Sequence, residues 1–301
     1  MNENLAIMYH YIQIKGKKGI VPLEPEDFMK QLEWVTKNYE VVEPDRLLKG
    51  IPGKKPFCIL TFDDAIKDQY EVAFNILKQK GLPGYFTVLS SPLTHRVIPV
   101  VHLVHAVLSY FSDEEIWNEL SKEYVLDHIP SSIGDTYAYE NDLFRRYNKY
   151  ALNFVLSEEL SRRYLEKKLS QVFTEIDKFI EQYYISLDEW RKIKEAGMTI
   201  GIHAVNHKGF SGDAQCFFDE EIAPCREFIR NEIGIDPKWY TPAYGGGMAY
   251  EKMMHDLEPI LRREGLLGGF TTQHGLIMQG QSGFWFNRVD CAKLTPINVI
   301  S

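Results

Sequence analysis

The chain has 301 residues, with 34 Lys and Arg against 42 Asp and Glu and a formal net charge of −8. This length can bury a large core without a metal or a disulfide, and the 45% of apolar residues excludes a disordered chain. The acidic balance argues against a nucleic-acid binder, which needs a basic face for phosphate contacts, and favours a small or neutral substrate.

The N-terminal segment and the cysteines indicate the compartment. Met1 to Lys15 shows no basic region followed by a sustained apolar run, and no stretch of the chain approaches the roughly 20 apolar residues of a membrane span. We therefore expect a cytoplasmic protein. No cysteine lies in a Cys-x-x-Cys pair, so small buried hydrophobes are expected rather than disulfides or a thiolate zinc site. These residues are Cys58, Cys216, Cys225 and Cys291.

The first ninety residues alternate strand and helix patterns. Short apolar runs predict strands at Leu5–Tyr11, Phe57–Phe62 and Tyr85–Leu89. Pro25 opens a predicted helix, and a second one follows Phe62 and ends at Gly81. Strand, helix and strand within about 35 residues form a βαβ unit, which predicts a parallel sheet.

The middle of the chain reads differently. Between Val100 and Tyr184 the sequence is rich in Leu, Tyr, Glu, Lys and Arg, with few strand patterns. Ser112 with Glu115 predicts a capped helix, and residues 157–184 predict one long amphipathic helix. We interpret residues 95–186 as a helical insertion between two parts of one α/β domain, residues 1–94 and 187–301.

After the insertion the α/β alternation returns. One predicted helix ends at Gly197, and two more cover Phe217–Glu232 and Glu251–Glu264. The predicted strands are Met198–Ile202, Trp239–Tyr240, Leu267–Thr271 and Phe284–Val289. This alternation fits a closed (β/α) barrel or an open doubly wound sheet. Both folds gather functional side chains at the carboxyl ends of the strands.

Four polar side chains follow predicted strands. Asp63 and Asp64 end one strand, and His203 and His207 follow another. One carboxylate and two imidazoles suit a divalent metal and leave positions open for water and substrate, while the second carboxylate is free to accept a proton. Taken separately, the aspartates also fit a helix N-cap, and the histidines fit a surface or capping pair.

These residues resemble a known family. TFDD at 61–64 and GIHAVNH at 201–207, together with AIMYHY and the WYTPAYGGG stretch at 239–247, resemble the polysaccharide deacetylases, the NodB-homology fold of carbohydrate esterase family 4. The resemblance implies a distorted (β/α) barrel, here with an α-helical insertion. It also implies metal-dependent removal of an N- or O-acetyl group from a sugar, a hydrolase acting on carbon–nitrogen bonds.

The resemblance also implies roles for individual residues. Asp64, His203 and His207 correspond to the metal ligands, and Asp63 to the base that activates water. The backbone N–H of Tyr244 corresponds to a donor that stabilises the oxyanion. Zinc is the expected ion, with other divalent transition metals as alternatives.

Two positions depart from the family pattern. Thr241 stands where the family has an arginine that orients the catalytic aspartate, and a hydroxyl cannot replace a bidentate guanidinium. Arg288 could supply that guanidinium, but we expect it to pair with Asp290 on the same strand. The late motif that supplies the general acid has no clear match either, and of the late histidines we choose His274, directly after a predicted strand, over His255 within a helix.

Two further patterns predict no chemistry. His102 and His105 lie three apart on an apolar helix, which is typical of core or capping histidines. Gly245 to Gly247 is not followed by the Lys-Ser/Thr of a phosphate-binding loop and predicts a flexible turn.

The sequence therefore predicts a cytoplasmic metal-dependent sugar deacetylase for a small or carrier-linked amino sugar in surface-polysaccharide or cell-envelope biosynthesis. Two alternatives stay open: a metal-dependent amidohydrolase on a non-sugar C–N bond, and a catalytically inactive sugar-binding homologue. No nucleic-acid partner is expected. The sequence leaves open whether the protein is a monomer or a homo-oligomer.

Overall fold

A computed structural model describes residues 3–13, 19–49, 55–126, 137, 140–210, 212–244, 247–278 and 283–294. The chain divides into two compact units. Residues 98–180, together with residues 19–21, form the second unit, and the first unit contains the described residues on either side. Gly245 and Gly246 of the predicted flexible turn lie outside the described residues.

The first unit is built on parallel strands that close into a barrel. The described strands are β1 Leu5–Tyr9, β2 Glu40–Val41, β3 Phe57–Phe62, β4 Tyr85–Leu89, β5 Thr199–Ala204, β6 Trp239–Tyr240, β7 Gly268–His274 and β8 Trp285–Asp290. Neighbours follow the order β1-β8-β7-β6-β5-β4-β3, and β1 pairs with β3 to complete a ring of seven, while β2 pairs only with the start of β3. Of the two predicted architectures, the distorted (β/α) barrel is confirmed.

Helices connect the strands and build the second unit. In chain order they are α1 Pro25–Asn38, α2 Arg46–Lys49, α3 Asn75–Lys80, α4 Ser91–Thr94, α5 Val100–Tyr110, α6 Asp113–Glu123, α7 Leu143–Tyr150, α8 Glu158–Leu169, α9 Ile176–Tyr183, α10 Leu187–Glu195, α11 Ala214–Phe217, α12 Ala223–Phe228 and α13 Gly247–Arg263. Gly81 caps α3 with φ 64°, as predicted. None of the described helices combines the length and apolar character that crossing a bilayer requires.

Large side chains from several strands fill the barrel. Ile59, Tyr85, Trp239, Phe270 and Phe286, each from a different strand, belong to one buried cluster. Because side chains alternate along a strand, residues two positions further on point to the same interior and approach its carboxyl end. This alternation determines which polar side chains can meet there.

The sequence pattern was wrong about one long helix over residues 157–184. The structure has two helices, α8 and α9, because the chain tightens after Leu169, whose carbonyl accepts from the N–H of Val172. Phe173 then packs edge-on against Phe179 with ring centroids 5.2 Å apart, a tertiary contact that periodicity does not report.

Two smaller expectations also change. The first strand ends at Tyr9 rather than at Tyr11, which leaves His10 directly after the strand. Cys58 and Cys225 are buried as expected, but Cys216 is exposed and Cys291 is half-buried. All four cysteines are free.

Candidate metal centre at the carboxyl end of the barrel

Asp63 and Asp64 leave the end of β3 in different directions. Asp63 continues the inward alternation of Ile59 and Thr61 and is 1% exposed. Asp64 and Ala65 have φ of 75° and 58°, so the chain turns sharply through the left-handed region, which aspartate adopts more readily than most residues. The two adjacent carboxylates therefore face different partners.

Asp64 faces the two predicted histidines. Its Oδ1 lies 3.0 Å from Nε2 of His203, at the end of β5, and 3.2 Å from Nε2 of His207 in the following loop. The three side chains are buried, and their ligand atoms all lie within 4.8 Å of one another. The structure thus brings the three predicted ligands together in one site.

The hydrogen bonds of His203 show that this group fits a metal. Its Nδ1 lies 2.8 Å from the carbonyl oxygen of Thr241, which can only accept, so Nδ1 carries the proton. In a neutral ring, Nε2 then presents a lone pair to the Asp64 carboxylate, and two acceptors at this distance need a proton or a cation between them. Burial alone would lower the pKa of His203, but Asp64 outweighs burial and raises it. A carboxylate with two imidazoles is a donor set that zinc and similar divalent metals accept.

Asp63 is paired with Arg288, so the expected Arg288–Asp290 pair is wrong. Nη1 of Arg288 donates to Oδ1 of Asp63 at 2.9 Å, and Nη2 lies 2.8 Å from Oδ2. Asp290 instead accepts from the N–H of Ala292. Burial would raise the pKa of Asp63, but the guanidinium lowers it below its ordinary value. Asp63 is therefore held as a carboxylate.

The Arg288 guanidinium is itself fixed by neighbouring strands. Its Nε donates to the Thr271 carbonyl at 2.7 Å, and Nη1 also donates to the Thr61 hydroxyl at 2.9 Å. The side chain is fully buried. Arg288 follows Phe286 by two positions on β8, so strand alternation directs both side chains into the barrel.

His10 was missed by the sequence analysis. It follows β1, and its Nε2 lies 3.9 Å from Oδ2 of Asp63, with 37% of the side chain exposed. Because the predicted strand extended to Tyr11, His10 was assigned to the interior of the strand. The rule that located Asp63 and His203, a polar side chain directly after a strand, would have found it.

Thr241, which stands where the family has an arginine, contacts a tyrosine instead of Asp63. Its hydroxyl lies 3.2 Å from the Tyr85 hydroxyl, and the residue is buried. The Tyr85 ring crosses Gly201, where an added Cβ would lie 2.2 Å from the Tyr85 oxygen. A tyrosine on β4 therefore occupies the space beside Thr241, and the guanidinium reaches Asp63 from β8.

Of the remaining predicted residues, Tyr244 contacts the Asp64, His203 and His207 group directly. The Tyr244 ring packs edge-on against His207, with centroids 4.6 Å apart, and is 40% exposed. His274 is the exposed last residue of β7, beside Arg288 in the strand register. His255 is an exposed residue of α13 that pairs with Asp256. His102 and His105 belong to α5 in the second unit.

Comparison with known proteins gives one family and one fold. The family described as polysaccharide deacetylase matches residues 127–257. The structure is similar to that of IcaB from Ammonifex degensii, with 14% identity, a TM-score of 0.58 and coverage of 99% of this chain and 94% of that chain. It is also similar to the deacetylase PplD of Streptococcus pyogenes in complex with acetate, with 16% identity, a TM-score of 0.58 and coverage of 99% and 96%.

A third similar structure is the de-N-acetylase from Aggregatibacter actinomycetemcomitans, with 15% identity, a TM-score of 0.55 and coverage of 99% of this chain and 98% of that chain. No curated protein sequence matches the chain. The predicted resemblance to the polysaccharide deacetylases and the predicted fold are confirmed. The family match covers the second half of the helical unit and part of the barrel, and the similar structures show the fold.

Proposed function

We propose that this chain, which has the polysaccharide deacetylase fold and family match, is a metal-dependent hydrolase that removes an acetyl group from an N-acetylated or O-acetylated sugar. The observation that carries the proposal is the buried group of Asp64, His203 and His207 beside an Asp63 that is paired with Arg288. It combines a ligand set with a separate carboxylate, which is what hydrolysis of an amide or ester requires.

Asp64, His203 and His207 are the proposed metal ligands. A divalent cation held by them, zinc by preference, would polarise the acetyl carbonyl and lower the pKa of water. The three side chains leave coordination positions for substrate and water, since a catalytic site uses three protein ligands. The Thr241 carbonyl orients the His203 ring through Nδ1.

Asp63 is the proposed general base. Its carboxylate accepts the proton of the attacking water, and Arg288 keeps both carboxylate oxygens in one orientation. The backbone N–H of Tyr244 is the proposed donor to the carbonyl oxygen as negative charge develops there. The position of Tyr244 beside His207 supports this role.

The leaving nitrogen or oxygen needs a proton, and two histidines compete for this role. His10 lies against Asp63 and reaches solvent, so it faces the same reaction space as the base. His274, predicted from the sequence, ends β7 on the same end of the barrel. We favour His10 because its Nε2 lies 3.9 Å from Oδ2 of Asp63 and its side chain is partly exposed, and His274 remains the alternative.

The arginine on β8 also bears on the inactive-homologue alternative. That alternative rested on Thr241 and on the missing general-acid motif. Arg288 meets the first objection, since a guanidinium does contact Asp63. His10 supplies a histidine for the second.

We propose a small or carrier-linked amino sugar of surface-polysaccharide or cell-envelope biosynthesis as the substrate. The de-N-acetylase with a similar fold supports an N-acetyl group. The cytoplasmic location remains a prediction.

Metal content and acetate release test the proposal. Purified protein should hold about one divalent ion per chain, which Asp64→Ala, His203→Ala and His207→Ala should lose while circular dichroism stays unchanged. Asp63→Asn should keep the ion and lose most acetate release from N-acetylated sugars, because an amide cannot accept the proton. His255→Ala is the matched histidine control on an exposed helix face.

Three results would contradict the proposal in different ways. Full metal occupancy in the three ligand variants would overturn the metal centre. Loss of metal in Asp63→Asn would exchange or merge the roles of the two aspartates. Metal binding without acetate release from any acetylated sugar would favour the non-sugar amide or the sugar-binding alternative.

A further inference from the structure

Glu221 is a buried carboxylate that lies outside the proposed catalytic group. It is 1% exposed and belongs to the wide helical turn Phe218–Ile222, which follows α11. Its described polar partners are N–H groups of one loop, and no described cation pairs with it. Burying a carboxylate without a counter-ion costs free energy, so the contacts of Glu221 must account for its position.

The loop that Glu221 binds is the one that carries His207. Oε2 of Glu221 accepts from the backbone N–H of Asn206 at 2.8 Å and from that of Lys208 at 3.4 Å. Oε1 accepts from the Asn206 side-chain amide at 3.1 Å. The Glu221 carbonyl also accepts from the N–H of Val205 at 2.9 Å. One residue therefore binds the chain on both sides of His207.

His207 needs such support because of its backbone conformation. Its φ is 59°, in the left-handed region that non-glycine residues rarely adopt and that surrounding structure must enforce. This turn directs Nε2 to 3.2 Å from the Asp64 carboxylate. A small rotation of the loop would move the imidazole away from the other two ligand atoms.

The helix that carries Glu221 is shaped to bring the carboxylate to this loop. Pro224 lies in the first turn of α12 and has no N–H, so it cannot donate the regular helical hydrogen bond to the Glu220 carbonyl. The preceding turn, Phe218–Ile222, is widened to a π-helical geometry. Glu221 lies in that widened turn.

We infer that Glu221 is a positioning residue for the metal centre, holding the 205–208 loop so that His207 can ligate together with Asp64 and His203. The inference rests on the proposed function, since it assigns a support to one of the proposed ligands. Partners of this kind, behind a metal ligand, typically change metal affinity about 10- to 100-fold when they are removed.

Metal affinity in folded variants tests this role. Glu221→Met keeps the length of the side chain but removes its oxygens, and it should raise the Zn²⁺ dissociation constant, measured by chelator competition, about 10- to 100-fold. Glu221→Gln should recover most of the affinity, because its amide oxygen can still accept a backbone N–H. Glu220→Met, at the exposed neighbouring position, is the control and should bind Zn²⁺ like the wild type.

The visible absorption of the Co²⁺ form gives a second readout, since it reports ligand geometry that a loss of overall stability would not change. If Glu221→Met does not fold, Glu221→Asp decides: its shorter side chain draws the carboxylate away from the loop and should also weaken binding. Wild-type affinity and an unchanged Co²⁺ spectrum in the folded variant would overturn the role of Glu221 and leave the proposed function intact. Equal binding by wild type and His207→Ala would overturn the metal centre itself, and the role of Glu221 with it.

Discussion

Arg288 and Asp63 show how two distant positions make one buried ion pair at the proposed site. The residues are 225 positions apart in the chain, and a two-point contact joins them inside the barrel. Separating a buried pair leaves an uncompensated charge, so the arginine both stabilises the carboxylate and orients it. Lysine cannot provide the same geometry, because an ammonium is a point charge rather than a planar fork.

Arg288→Lys tests orientation separately from charge. We expect the variant to keep its metal and its fold and to lose about 100-fold in turnover, as is typical of a small misplacement of a catalytic group. Acetate release and elemental analysis measure the two effects. Arg262→Lys, an exposed arginine of α13, is the matched control and should change neither quantity.

Loss of metal in Arg288→Lys would show instead that the arginine supports the ligands as well as the base. Turnover equal to that of the wild type would show that charge alone is sufficient at this position.

The two candidate proton donors can be separated by one pair of variants. Removing a general acid lowers turnover about 100-fold or more and removes the alkaline limb of the pH–rate profile, because the neutral ring no longer limits the reaction. We expect this result for His10→Ala and a near-normal profile for His274→Ala, with metal retained in both. The reverse outcome would return the role to His274, and an unchanged alkaline limb in both variants would assign the proton to water or another group.

At the scale of single elements, caps were easier to predict than helix interiors. Ser112 accepts from the N–H of Glu115, as the sequence pattern indicated. The predicted helix over Phe217–Glu232 instead consists of short α and π segments around Pro224. A cap depends on residues close in sequence, whereas the path of a helix interior also depends on what it packs against.

The capping box of α10 gives a pH-dependent prediction. Ser186 and Glu189 exchange hydrogen bonds, and Nζ of Lys67 lies 2.6 Å from the same Glu189 oxygen. Burial would raise the pKa of Glu189, but the Lys67 bond and the Ser186 donors lower it below 4.5. A lowered pKa in the folded state means that the ionised form stabilises the fold above pH 4.5 and loses this effect as the pH falls.

Glu189→Gln should therefore lower the free energy of unfolding at pH 7 by about 1 kcal/mol, the upper range for such a pair. The deficit should shrink as the pH falls below 4.5, the ordinary value for this group. Urea denaturation at pH 7 and near pH 3 measures it, with the exposed Glu195→Gln on the same helix as control. A deficit that is independent of pH would show that packing, rather than charge, accounts for the effect.

At the scale of the whole molecule, the chain contains a barrel unit and a helical unit. The helical unit is held by its own pairs, among them Arg145 with Asp113 at 2.6 Å and the buried pair of Lys149 with Glu140. All the residues of the proposed metal centre belong to the barrel unit. The role of the helical unit is a prediction from topology. This unit follows the carboxyl end of β4 in the chain, and the loops at the carboxyl ends of barrel strands shape substrate binding.

Replacing residues 98–180 by a short Gly/Ser linker tests that prediction. We expect the variant to bind Zn²⁺ with wild-type affinity, because every proposed ligand is retained, and to show a higher KM for the sugar. Chelator competition, acetate kinetics and analytical ultracentrifugation are the measurements. Unchanged kinetics together with an altered oligomeric state would assign the insertion to assembly instead.

The sequence alone determined where most of the barrel strands lie and several of the polar residues that follow them. Phe57–Phe62 and Tyr85–Leu89 were predicted to the residue, because short apolar runs between turn signals carry their own boundaries. Asp64, His203 and His207 were found because the carboxyl ends of parallel strands meet at one end of a barrel.

Only the tertiary structure decided which residues complete the site. Arg288 reaches Asp63 because β1 lies between β8 and β3 in the closed ring, a neighbour relation that no local pattern encodes. Glu221 binds the His207 loop because the helical turn Phe218–Ile222 lies beside that loop in the folded chain. Hydrophobic periodicity reports which face of an element is buried; the partner that a buried polar group finds there depends on where the other strands and helices lie.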